Sequence, residues 1–135
     1  MTDKTGGVAF PASGHPDMEF KGTPAPWFCM NGTDVFTGLN STNASGIKSD
    51  KTDGWQIADC SVGKTCVDGE YVELSANEQI ANAHLIAVAP ELLEALIEIV
   101  EMQSKNYGNG MVTHMQLANL AKKAKIVIEK ALGQQ

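Results

Sequence analysis

The stretch "SANEQIANAHLIAVAPELLEALIEIVEMQSK", residues 75–105, decides the fold. It opens with Ser75-x-x-Glu78, a capping box in which a hydroxyl and a carboxylate satisfy the first free N–H groups of a helix. Apolar residues then recur at three- and four-residue steps, with Leu93, Leu96, Ile97 and Val100 read as one face. Pro90 lacks an N–H and its ring crowds the preceding turn, so a kink is expected there. The expectation is a first helix over 75–107, kinked at Pro90 and stopped by "NYGNG" at 106–110.

Downstream, Leu117, Ala121, Ala124, Ile128 and Ala131 repeat the helical spacing, predicting a second helix over 111–132 with Thr113 as its cap. The first helix carries Glu78, Glu91, Glu94, Glu98 and Glu101, and the second carries Lys122, Lys123, Lys125 and Lys130. A short connection and opposite charges predict an antiparallel helical hairpin.

Upstream, the period shortens. Residues 27–74 read as short strands: "PWFCMNGTDVF" holds an Asn-Gly turn between apolar runs. "GLNSTNASGIKSDKTDG" reads as a long polar loop, and "WQIADCSV" and "EYVELS" as two more strands joined through "GKTCVDG". Residues 1–26, rich in Gly, Pro, Ser and Asp, read as an extended arm. The predicted architecture is a single α+β domain over 27–135: a small antiparallel sheet followed by an antiparallel helical hairpin.

Composition narrows the chemistry. All ten positive charges are lysine, so no guanidinium clamp on phosphate exists. The net charge of −6 argues against binding to nucleic-acid backbones. No apolar run reaches membrane-spanning length, and "MTDKTGGVAF" has no secretory apolar core. Cys29, Cys60 and Cys66 are then expected as reduced thiols of a cytoplasmic protein.

One stretch, "ADCSVGKT" at 58–65, fits the loose phosphate-loop pattern. Such a loop needs a helix starting at its Lys-Thr end, whose N–H groups cradle the phosphates. Here "CVDGEYVEL" follows, which is turn and strand, so no nucleotide hydrolysis is expected. The Cys60-x5-Cys66 spacing is wrong for zinc, and nothing brings His15, His84 or His114 to the thiols. No metal, cofactor or catalytic residue is expected.

Binding residues are the better prospect. Trp27 could stack on a flat ring, while Asn82 and His84, near the start of the first helix, could hydrogen-bond a ribose or base. Val112, Leu120, Ile126 and Val127 place aliphatics on more than one side of the second helix, predicting a homo-oligomer.

"GTPAPWFCM" (22–30), Ile57–Ala58 and "ANAHLIAVAPELLEAL" (81–96) together resemble a set of small phage and prophage proteins with a Thr-Pro-x-Pro-Trp strand entry and an Ala-Asn-Ala-x-Leu-Ile-Ala-x-Ala-Pro-Glu-Leu-Leu-Glu-Ala-Leu helix. The plan of a small sheet followed by two helices is also similar to phage Thoeris anti-defence proteins. That second resemblance implies a cytoplasmic protein of the infected host that sequesters a small nucleotide-like signal of the cyclic ADP-ribose type. Trp27, Asn82 and His84 would then form its ligand site. The alternative is a protein–protein inhibitor of a host nuclease or CRISPR effector, using an acidic helix face or the apolar hairpin. A phage structural or regulatory oligomer is a third reading.

Overall fold

Five strands precede two helices in the computed structural model, which describes residues 19–105 and 113–133. Strands β1 (Trp27–Met30), β2 (Asp34–Thr37) and β3 (Gln56–Asp59) form one antiparallel sheet in the order β1-β2-β3. Strands β4 (Lys64–Val67) and β5 (Glu70–Glu73) form a separate two-stranded ribbon. Helix α1 spans Ala76–Lys105 and α2 spans His114–Ala131. The expected α+β plan holds.

The hairpin turns follow from their sequences. Asn31 and Gly32 lie at φ 55° and 81°, and Asp68 and Gly69 at φ 48° and 86°. Those left-handed values suit Asn, Asp and Gly, and they match the right-handed strand twist. The second turn corrects the expected strand layout: "KTCV" is itself a strand, paired with "EYVE" from Lys64↔Glu73 to Val67↔Glu70. It is not a connector between two strands of the main sheet.

The polar loop after β2 is tightly organised. Thr42 bridges to Lys48 and is only 4% exposed. Asn43 Oδ1 accepts from the N–H groups of Ser45 and Ile47, and Asp50 Oδ1 from Thr52. Trp55 ties the loop down by donating its indole N–H to the Ser41 carbonyl at 2.9 Å.

The core is small and sits between the sheet and the first half of α1: Val35, Ala83 and Ala87, flanked by Trp27, Cys29, Ile57 and Ile86. Two alanines on α1 let the helix approach the sheet closely. The helix continues through Pro90, whose ring is buried, so packing outweighs the one missing backbone hydrogen bond.

Both predicted helix caps form. The Ser75 hydroxyl accepts from the Glu78 N–H at 3.2 Å, and Thr113 makes a full capping box with Gln116. The stop signal at 106–110 and the first residues of the expected second helix lie outside the described residues. The helices run antiparallel: Lys130 Nζ donates to Glu91 at 2.7 and 3.0 Å, and Lys123 Nζ to Glu98 at 3.4 Å.

Candidate functional site

The three residues expected at a ligand site are positioned separately. Trp27 packs on the core, donates its indole N–H to the Thr23 carbonyl at 3.2 Å, and meets Phe20 edge-to-face with centroids 6.3 Å apart. It acts as a strut between the entry segment and the sheet. Asn82 and His84 are two residues apart, so they leave α1 about 200° apart. Asn82 is exposed and lines a cleft, whereas His84 lies against the end of α2, where a Cβ on Gly133 would sit 3.6 Å from the imidazole. The structure does not bring the three together.

The cleft beside Asn82 measures about 320 Å³ and is bounded by Asp59, Cys60, Val62, Leu74, Leu85 and Ile86. It lies where β3 hands over to the ribbon and the ribbon to α1. Asp34 and Asp59 pair directly across β2 and β3 at its edge. Partial desolvation and the neighbouring Asp59 push the Asp34 carboxyl above the ordinary aspartate range. Two hydrogen bonds from Ser61 hold Asp59 below it. Asp34 is therefore the member that takes a proton first. Burial, then the nearby Cys60 and Asp34, raise the Cys29 thiol, which keeps it in the un-nucleophilic protonated form. Among the described residues, no three His, Cys, Asp or Glu side chains converge as metal ligands.

The phosphate-loop pattern dissolves into other structure. Ser61 to Gly63 form the entry to the ribbon, and Lys64 and Thr65 lie on β4, with no helix after them. Lys64 Nζ sits 3.4 Å from Glu73 across the ribbon. The Leu74 N–H donates to the Gly63 carbonyl at 2.8 Å and closes the ribbon's root.

The ribbon itself is the feature that reading by residue type missed. All eight of its strand residues are exposed, Tyr71 at 81% and Val67 and Val72 near half. The signal available was Asp68-Gly69 between two four-residue runs, a complete hairpin by itself. A two-stranded ribbon is marginal alone, and among the described residues β4 and β5 pair only with each other.

A family model described as Salmonella phage P22 protein Y8K6 matches residues 17–135. The chain belongs to this family. No curated protein and no solved structure matches it. Membership of the P22 Y8K6 family agrees with a small phage protein; the finer Thoeris likeness gains nothing from it. No helix among the described residues is long and apolar enough to cross a membrane.

Proposed function

We propose that this phage protein is a non-catalytic accessory factor that binds a host protein through the β4–β5 ribbon and acts in the host cytoplasm. The carrying observation is the exposure of that ribbon, with Tyr71 on one face, Val67 and Val72 on the other, and strand edges that pair with nothing further among the described residues. An exposed tyrosine suits an interface anchor, and an unpaired edge suits addition of a partner strand. The acidic face of α1 is a weaker contact surface, because Glu91 and Glu98 already pair with lysines of α2. The target class is a defence effector such as a nuclease or CRISPR complex. The test is affinity capture from phage-sensitive cells, followed by inhibition of the purified captured effector. Wild type should inhibit, and Tyr71→Ala/Val72→Ser should lose at least about tenfold in affinity. Equal inhibition by the variant would sink the ribbon as the contact.

A second reading, sequestration of a cyclic ADP-ribose-type signal, is favoured by one observation: Asn82 supplies an amide to a cleft of about 320 Å³, near the low end of ligand-pocket sizes. Lysine and backbone N–H groups would have to hold the phosphates. Incubating the protein with a panel of such signals and chromatographing free ligand before and after heating tests it. No depletion by wild type, or unchanged depletion by Asn82→Ala, would exclude this site.

A further inference from the structure

Apolar walls and a negative rim meet in the cleft of about 320 Å³ at the root of the ribbon. Val62 precedes β4, Leu74 follows β5, and Leu85 and Ile86 belong to α1. Val62 is 70%, Leu85 52% and Leu74 40% exposed, so these walls are open to a ligand. The Leu74 wall is set by its neighbour across the ribbon. A Cβ on Gly63 would come within 2.7 Å of Leu74 Cδ1, so the leucine lies close over a glycine that leaves it room. The Leu74 N–H, donating to the Gly63 carbonyl at 2.8 Å, holds the pair together.

Asp59 is the one charged residue of the lining. Hydrogen bonds from the Ser61 hydroxyl and N–H favour its ionised form. Asp34, directly opposite on β2, brings a second carboxylate to the same edge. Among the described residues neither is paired with a lysine: the ion pairs join Lys64 to Glu73, Lys123 to Glu98 and Lys130 to Glu91. Like charges facing each other across a sheet repel, and a cation brought to them relieves that repulsion.

We infer that this cleft is a socket for a long aliphatic cation, the side chain of a lysine or arginine. Its alkyl stem would lie on Val62, Leu74, Leu85 and Ile86, while its charged head stays at the wet rim on Asp59, as amphipathic side chains arrange themselves. Asn82 adds an amide beside the head. Charge makes the socket selective. An anion would meet two carboxylates and no lysine, so the same rim works against the phosphates of a cyclic ADP-ribose-type signal. A neutral alkyl group would use the walls alone. That the cation belongs to the host partner rests on the ribbon reading. Leu74 continues β5 three residues beyond Tyr71, about 10 Å along a strand. A segment laid along β5 would therefore carry its basic residue about three positions from the one that meets Tyr71.

Nuclear magnetic resonance titration of the full chain with n-pentylammonium, pentanol and pentanoate tests the socket, read at the Asn82 side-chain amide and the Leu85 and Ile86 methyls. Pentylammonium should bind about two- to fivefold more tightly than pentanol, the range of an exposed ion pair, and pentanoate most weakly. Asp59→Asn should remove the advantage of the ammonium over the alcohol. Should that variant fail to fold, added sodium chloride decides on wild type, because screening should shrink the same advantage. Pentanoate binding as tightly as pentylammonium, an advantage that survives Asp59→Asn or salt, or no shift with any probe would overturn the socket. These probes do not involve the ribbon strands, so their outcome stands apart from the ribbon reading. With the captured effector, Asp59→Asn should lose about two- to fivefold in affinity. Unchanged affinity there, alongside a weakened Tyr71→Ala/Val72→Ser, would leave the ribbon reading standing and overturn the partner's basic residue in the socket.

Discussion

The three-stranded sheet and the β4–β5 ribbon share a construction and differ in what covers them. Each contains a hairpin of four-residue strands turned by Asn-Gly or Asp-Gly at positive φ. In the sheet, β2 is central and alternates half-buried and buried residues, with Val35 and Thr37 turned inward. In the ribbon, both strands are exposed along their whole length. The turn fixes the hairpin locally in both cases; contact with α1 decides which becomes core. The sheet is thus the part that holds the fold together, and the ribbon is free to contact something else.

The sharpest way to break that comparison is to truncate one apolar residue in each. Val35 is fully buried, so Val35→Ala should cost about 2–3 kcal/mol through lost burial and a residual cavity. Val72→Ala, at a half-exposed ribbon site, should fall within about 0.5 kcal/mol of wild type. Urea unfolding measures both, and equal costs would mean that the ribbon is packed in solution.

A smaller effect separates the sheet's polar interior from its apolar one. Thr37 is 4% exposed; its hydroxyl accepts from the Trp55 N–H at 2.7 Å and donates to the Gly38 carbonyl at 3.1 Å. Thr37→Val keeps the shape but leaves a partly buried amide without its partner, a loss of about 1–3 kcal/mol. Hydrogen exchange at Trp55 should accelerate with it, because that amide loses its acceptor. An unchanged exchange rate would mean that water replaces the hydroxyl there.

Much of this fold was legible in the residues, for local reasons. Ser75 and Thr113 announce helix starts because their hydroxyls satisfy free N–H groups wherever the helix packs. Asn31-Gly32 announces a turn because few other residues accept its φ angles. What was hidden depends on partners far away in sequence. Leu93, Leu96 and Val100 read as one apolar face, but spacing cannot say which side of α1 the sheet takes, and these three are exposed. Trp27 read as a stacking surface because its type is compatible with one. Only the fold shows its ring packed on the core and its N–H committed to Thr23. The strand "KTCV" was missed because exposure on both sides leaves no alternation to detect.

The smallest expected effect lies at the junction between sheet and ribbon, where Asp34 and Asp59 face each other across β2 and β3. Like charges directly opposite on a sheet repel. Desolvation and Asp59 raise the Asp34 carboxyl above its ordinary value of 3.8, so the folded state binds that proton more readily than the unfolded chain. Stability from this group is then present at low pH and falls as pH rises from 3.8 through the raised value. Asp59 has the opposite sign: its bonds from Ser61 stabilise above 3.8 and are lost as acid protonates it. Asp34→Asn removes the repulsion while keeping a side chain that can donate to Asp59. It should raise the melting midpoint slightly at neutral pH, and the gain should shrink below the window in which Asp34 is already protonated. Melting curves at pH 7 and at pH 3 measure the difference. An equal gain at both would show that the two carboxylates do not interact, and the sheet–ribbon junction would then carry no electrostatic strain at all.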